Sequence, residues 1–324
     1  MTDPGTEPGI RVAVVSPVHP DLLGWLRARS RVHYVPDAGQ DDLRAAAVAG
    51  SDILVLRSNV RLGSAELTAM RRLRLVLRAG SGTDNLDLLA LRDHRVELVR
   101  VGGAHSAPAV AELALQATIG LLRRVPAASA ELSLGRWSKA AVHGEELAGR
   151  TVGIWGAGPV GHAVAILFGL LGTKVVFAEY PSVPDRFRQA ARAELASMAD
   201  VHVFALPKRA DTVGYVDTEL LDLFRRRRPH LVNVGRWDLF DMPGVIEALS
   251  QGHLSGVAVD PLDRAHVATA QALLARFTTP DRPLNLQLTP HLGAMTTGSL
   301  RRVAAAAIAE LDVHWGTLRA TADR

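Results

Sequence analysis

The chain has 324 residues with 48% hydrophobic and 22% charged side chains, enough to bury a large core and to divide into two domains. It holds no cysteine, which excludes disulfides, thiolate metal sites and a cysteine nucleophile. The net charge is only +4, and the densest basic run, Arg225 to Arg228, lies before Pro229 with no aromatic residues interleaved to stack on bases. That run reads as a solvated helix end, so no nucleic-acid partner is expected. Nor is a membrane partner, because no apolar run reaches spanning length. No secretory signal pattern opens the chain, and the expected location is cytoplasmic.

Residues 1–9 are rich in Pro and Gly and predict a frayed tail. Strand patterns follow at 11–16, 32–34, 52–56, 75–78 and 96–101, alternating with helical spacing at 21–29, 41–49 and 64–72. This alternation predicts a parallel sheet with helices on both faces. An apolar helix is expected over 110–122, and a loop or arm over 129–146. After a unit at 151–179, the pattern predicts a helix at 186–198 and a strand at 201–206. Then come a helix at 220–227, a strand at 231–234, a helix at 245–250 and a strand at 257–260. A helix at 267–277, an extended stretch at 285–288 and a long Ala-rich helix at 299–317 close the chain.

The unit at 151–179 is the most informative. A β-type run ends in Gly156-Ala-Gly158-Pro159-Val160-Gly161, an apolar helical run follows, and a second β-type run ends on Glu179. Gly156 permits the tight strand-to-helix turn, Gly158 lets backbone approach a pyrophosphate, and Gly161 allows the helix to lie close on the sheet. The helix N-terminus offers free N–H groups and the positive end of the dipole. Glu179, 23 residues after Gly156, stands where an acid can accept from both ribose hydroxyls. Its carboxylate would repel a 2′-phosphate, so NAD is the expected cofactor.

Four further strings stand in order around this unit: Ala79-Gly-Ser-Gly-Thr-Asp-Asn-Leu-Asp87, Val110-Ala-Glu112, Val232-Asn-Val-Gly-Arg236 and Thr289-Pro-His-Leu-Gly293. Together with it they resemble the D-isomer-specific 2-hydroxyacid dehydrogenases over nearly the whole chain. The resemblance implies an α/β fold of two parallel-sheet domains, Rossmann-like and flavodoxin-like, with the active site between them. The NAD-binding domain (107–290) would be inserted in a substrate-binding domain built from 1–106 and 291–324. It also implies a homodimer and a small anionic substrate (a 2-hydroxy or 2-oxo acid); no His/Asp/Glu cluster in the sequence suggests a metal.

By the same resemblance, Arg236 is the catalytic cation, its planar fork suited to a carboxylate. His291 is the acid/base. Gly80, Ser81 and Gly82 cradle the substrate carboxylate, with Arg57 and Ser58 nearby. Pro207, Thr212, Val234 and Asp260 line the cofactor along with the residues of the glycine turn. The sequence departs from the family in two places. The Glu that usually partners the His would fall at position 265, which is Ala; Asp263 is the nearest carboxylate, and Gln271 or Gln287 could orient the ring without charge. Trp237 stands where relatives carry Gly and is expected to crowd the pocket or stack on substrate. The alternative is a dinucleotide-binding protein of regulatory or structural role whose catalysis has decayed.

Overall fold

The computed structural model describes residues 9–137, 143–277 and 284–322. Nearly all of the expected tail, the middle of the expected arm and the chain's last two residues lie outside them. The chain forms two compact units, residues 1–106 with 296–324, and residues 107–295. The second division falls after 295 rather than before 291, so His291 belongs to the second unit.

The first unit holds five parallel strands: β1 (Arg11–Val14), β2 (Arg31–Tyr34), β3 (Ile53–Leu56), β4 (Leu75–Arg78) and β5 (Glu97–Arg100). Their spatial order is β2-β1-β3-β4-β5. Alternate side chains enter two separate cores. Val12, Val14, Ile53, Val55, Leu75 and Leu77 pack on one face with Leu22, Leu26, Ala304 and Leu311. Ala13, Leu54, Leu56 and Val76 pack on the other with Leu43, Val48 and Leu67. Both faces being covered, β3 and the first three residues of β4 are continuous apolar runs, as buried parallel strands favour.

The second unit holds seven parallel strands: β6 (Thr151–Trp155), β7 (Lys174–Ala178), β8 (Arg188–Ala190), β9 (Val201–Phe204), β10 (His230–Asn233), β11 (Gly256–Val259) and β12 (Leu286–Leu288). Their order is β12-β11-β10-β9-β6-β7-β8. This is the doubly wound arrangement whose strand order reverses between the first strand and the fourth, here β6 and β9. At such a reversal the connections leave in opposite directions and open a crevice beyond the strand ends. Helix Ala107–Leu122 covers one face through Ala111, Ala114, Leu121 and Leu122.

Several elements depart from the expected pattern. The helix expected over 186–198 divides into β8 and helix Arg192–Met198, because Arg188 to Ala190 pair with Val176 to Ala178 along the sheet edge. Tertiary pairing overrides local propensity there. The expected arm begins as part of a helix, Val125–Ser133, with Pro126 in its first turn. The segment 41–49 is a 3₁₀ turn, Asp41–Arg44, and a short helix, Ala46–Ala49, interrupted where Ala45 turns extended. A short helix at Leu88–Asp93 was not anticipated; the Asp87 carboxylate caps it by accepting from the Ala90 amide at 2.9 Å.

Candidate active site

The glycine turn lies at the strand reversal, between the ends of β6 and β9. Gly156 takes φ +119°, and a Cβ there would stand 2.7 Å from the Ala205 carbonyl oxygen at the end of β9. Both facts demand glycine. A Cβ on Gly161 would stand 1.9 Å from the Gly156 carbonyl oxygen, so helix Pro159–Leu170 can approach the turn only with a bare Cα. Gly158 is different: a Cβ would meet nothing within 4 Å. The space in front of the helix N-terminus is therefore open, as a pyrophosphate requires. Pro159 opens the helix where no donor is needed, and Val160 and Gly161 follow with amides in its first turn. Glu179 is exposed just past β7, free to meet a ribose.

These contrasts give a paired test. Gly158→Ala is expected to leave the melting temperature within about 2 °C of wild type, as for a change that meets no neighbour. It should still weaken NADH binding, read by fluorescence titration, by about tenfold, some 1.4 kcal/mol. Gly161→Ala is expected to lower the melting temperature by more than about 5 °C, because backbone must move.

Thr212 is only 3% exposed, and its hydroxyl donates to the Pro207 carbonyl at 2.6 Å and accepts from the Arg209 amide at 2.8 Å. It shapes the 207–212 turn from inside. Pro207 contributes its carbonyl to that same turn. Val234 is half-buried, its amide bonded to the Phe204 carbonyl.

Arg236 follows β10 on a turn locked by Asn233. The Asn233 amide donates to the Arg236 carbonyl at 2.8 Å, and its oxygen accepts from the Gly235 amide at 3.0 Å. Gly235 is pressed between strands, since a Cβ would stand 2.5 Å from the Leu206 carbonyl oxygen. Arg236 leaves this turn extended and half-buried. Trp237 is 6% exposed, belongs to the core beside Leu239 and Phe240, and stacks on His266 with ring centroids 5.4 Å apart.

His291 Nδ1 lies 3.0 Å from the Asp263 carboxylate, both side chains partly exposed. Asp263, three residues after Asp260, is therefore the carboxylate paired with the ring, while position 265 is Ala. Gln287 is engaged elsewhere, exchanging hydrogen bonds with Gln116 at 3.0 and 3.4 Å. Gln271 sits exposed on helix Val267–Phe277. His291 itself takes φ +59°, a left-handed conformation uncommon outside glycine. Asp260, 7% exposed, turns its carboxylate into the His291 loop: it accepts from the Thr289 hydroxyl at 2.8 Å, the Leu292 amide at 2.7 Å and the Gly293 amide at 2.9 Å.

In the first unit, Arg57 and Ser58 follow β3 at the strand reversal between β1 and β3. The Arg57 amide donates to the Ser16 hydroxyl at 2.8 Å, and Ser16 bonds Asn59. Asn85 donates to the Arg57 carbonyl at 2.8 Å and the Val60 carbonyl at 2.6 Å. Burial lowers the pKa of the Arg57 guanidinium from its ordinary value, though arginine remains charged at any working pH. The loop Gly80–Gly82 follows β4. Gly80 lies close under Arg78: a Cβ would stand 2.8 Å from Arg78 Nη1. Arg78, 4% exposed, was not among the expected residues; its place at the end of a buried strand gave no signal of function. Asn233 and Thr289 were missed for the same reason, since they act through backbone and neighbouring side chains. Among the described residues no group of three His, Asp or Glu could hold a metal ion.

A seven-stranded doubly wound sheet with a glycine turn at its reversal and an acid past the second strand defines a dinucleotide-binding α/β protein. The family can be named as well. Residues 115–293 match the family of the D-isomer specific 2-hydroxyacid dehydrogenase, NAD binding domain, and the chain belongs to that family, with NAD as its cofactor. It is 31% identical over 299 residues to D-3-phosphoglycerate dehydrogenase of Mycobacterium tuberculosis, covering 88% of this chain and 53% of that protein. It is 26% identical over 296 residues to hydroxypyruvate reductase of Thermotoga maritima, covering 90% and 94%. Its fold matches D-lactate dehydrogenase from Aquifex aeolicus, complexed with NAD and lactic acid, at a TM-score of 0.76 and 19% identity over 94% of this chain and 95% of that one. The chain spans about half the length of the phosphoglycerate dehydrogenases it matches.

Proposed function

We propose that this protein is an NAD-dependent oxidoreductase that interconverts a small D-2-hydroxy acid and its 2-oxo acid. The observation that carries the reading is the 3.0 Å pairing of His291 with Asp263. It supplies the oriented imidazole that the family's chemistry needs, although the usual partner position is Ala265. A protein whose catalysis had decayed would have no reason to rebuild that pair. Bound NAD would accept or supply the hydride.

The remaining roles fall to side chains of this chain. The Arg236 guanidinium holds the substrate carboxylate and polarises the adjacent carbonyl. Nε2 of His291 gives a proton to the carbonyl oxygen in reduction and takes it back in oxidation, while Asp263 holds Nδ1. The Gly80 amide is spent on the Arg78 carbonyl at 2.8 Å, so the amides of Ser81 and Gly82 receive the carboxylate, where the bare Cα of Gly82 allows close approach. Arg57, half-buried, and Arg78, buried, are two cations at adjacent strand ends that favour an anionic substrate. Glu179 fits NAD better than its 2′-phosphate analogue.

The test is NADH oxidation with a panel of 2-oxo acids, including hydroxypyruvate, glyoxylate, pyruvate and a phosphorylated analogue. Turnover with at least one is expected. Asp263→Asn should lower its kcat about 10- to 100-fold, less than the roughly 10²- to 10⁴-fold of a positioned acid/base because the imidazole itself remains, with NADH affinity unchanged. A variant as active as wild type would remove Asp263 from the mechanism.

A homodimer in the cytoplasm is part of the same reading. Leu132, Leu134 and Trp137, with Ile166 and Leu170, leave apolar side chains exposed on the second unit, Trp137 by 83%. No described helix is long and apolar enough to cross a membrane, so a second copy is the better occupant for these residues. Light scattering should give twice the chain mass; a monomer at micromolar concentration would refute it.

A further inference from the structure

We propose that His266 is a positioning residue for the proton transfer: its ring, seated on the Trp237 indole, fixes the turn that holds Asp263 against His291. The inference rests on the reading above that His291 moves the proton and Asp263 orients it. Asp263 stands in extended conformation at the N-terminal cap of a 3₁₀ turn, Arg264–His266, and its carbonyl accepts from the His266 amide at 2.9 Å. An aspartate at a cap ordinarily turns its carboxylate back onto the amides of the turn. Here it makes no such bond, and Oδ1 lies 3.0 Å from His291 Nδ1 instead. The turn thus goes without its usual side-chain lock. Arg264 and Ala265 are exposed, and His266 is the residue of the turn that packs inward.

His266 supplies the lock with the face of its ring. The imidazole lies on Trp237 with centroids 5.4 Å and planes 18° apart. Its Nδ1 is enclosed and makes no hydrogen bond among the described residues. Its Nε2 stands 3.9 Å from Asp238 Oδ1, beyond hydrogen-bond reach. The ring therefore serves as a flat surface rather than through its nitrogens. What lies beneath it is firmly held. Trp237 is buried and opens a 3₁₀ turn, Trp237–Leu239, directly after Arg236. The Gly214 amide donates to the Asp238 carbonyl at 2.7 Å and the Val216 amide to the Leu239 carbonyl at 2.9 Å. Lys208 Nζ adds a 2.9 Å bond to the Asp238 carboxylate. The stack thus ties the turn that carries Asp263 to the turn that presents Arg236. Without it the two could drift apart, and reacting groups tolerate little misplacement.

The test uses the full chain with the variants His266→Ala, His266→Phe and Asp263→Asn, and the double variant His266→Ala with Asp263→Asn. Loss of the ring in His266→Ala should lower kcat about tenfold, the upper range for one aromatic pair, with KM for NADH within about twofold of wild type. His266→Phe keeps a flat ring without nitrogens and should stay within about threefold of wild type. Because His266 acts through Asp263, the double variant should fall no more than about twofold below Asp263→Asn alone. Two readouts need no turnover. Amide exchange of the peptide spanning 262–266, followed by mass spectrometry, should be at least about fivefold faster in His266→Ala and unchanged in His266→Phe. The ¹⁵N resonances of the His291 ring, identified by their loss in His291→Gln, should move in His266→Ala toward their positions in Asp263→Asn. Trp237→Leu removes the other face of the stack and should repeat the His266→Ala pattern; if that buried change unfolds the chain, the His266 variants decide alone.

A His266→Ala variant with wild-type kcat and exchange overturns the proposal. So does a phenylalanine variant as impaired as the alanine one, which would put the role in the imidazole nitrogens. Losses that multiply in full in the double variant also overturn it, since they mark a route that bypasses Asp263. A wild-type chain that binds NADH but turns over none of the 2-oxo acids defeats the functional reading alone, because exchange and the His291 resonances still decide whether the stack holds Asp263 in place.

Discussion

Arg236→Lys is expected to fold like wild type and to lose about a thousandfold in kcat/KM, equivalent to about 4 kcal/mol of transition-state stabilisation. The turn that presents Arg236 is held by Asn233 and by the absence of a side chain at Gly235. The Arg236 guanidinium adds one bond to that turn, Nη1 to the Gly235 carbonyl at 2.8 Å, which an ammonium can also donate, so melting temperature should move by no more than about 2 °C. The loss instead comes from replacing a fork by a point. Guanidinium can donate two parallel N–H bonds to a carboxylate while its plane faces the carbonyl; ammonium holds one oxygen at a time. Truncating a desolvated charge partner typically costs 2–5 kcal/mol, roughly the size predicted here. Steady-state kinetics with the best 2-oxo acid from the panel, beside a thermal melt, separate the two quantities. A lysine variant within fivefold of wild type would show that the substrate carboxylate is held elsewhere.

The fold was legible because parallel sheets write themselves as apolar runs. The stretch 75–78 and the glycine turn appear in the structure where the sequence put them, since buried strands and tight turns restrict residue type locally. What could not be read depends on partners distant in the chain. Arg188 to Ala190 form a strand only because β7 is there to pair with. The indole of Trp237 packs in a core assembled from residues 155–270, a contact that its place beside Arg236 does not reveal. Asp263 could be named as the nearest acid but not chosen over Gln287, because the choice turns on whether Gln116, far back in the chain, claims that amide. Asp260 shows the sharpest limit: its position was visible, and the direction of its carboxylate was not.

Acid should destabilise this protein more steeply than its carboxylates alone would predict, because two histidines are buried in the second unit. His202 is fully buried on β9, where its Nδ1 accepts from the Trp155 indole at 3.0 Å and its ring packs on Phe224. Burial lowers its pKa to about 3, opposed only in part by the Ala196 backbone. His230, 7% exposed at the start of β10, is lowered to about 4, again chiefly by burial, with Glu145 opposing. Both folded values lie below the ordinary 6.5, so between them and 6.5 the unfolded chain binds protons the folded chain refuses. Stability is therefore fully present above about pH 6.5 and falls as pH drops, by roughly 1.4 kcal/mol per pH unit for each histidine. From pH 6.5 to 5 the two together remove on the order of 4 kcal/mol, a large share of a typical 5–15 kcal/mol. Urea midpoints at pH 7.5, 6 and 5 should record that fall. His202→Gln isolates the larger contribution, since its side-chain oxygen can still accept from Trp155 while the titrating group is gone. Its stability should decline about half as steeply over the same range. Parallel curves for wild type and variant would mean that His202 accepts its proton in the folded state, and that the cavity around it is not as dry as its packing implies.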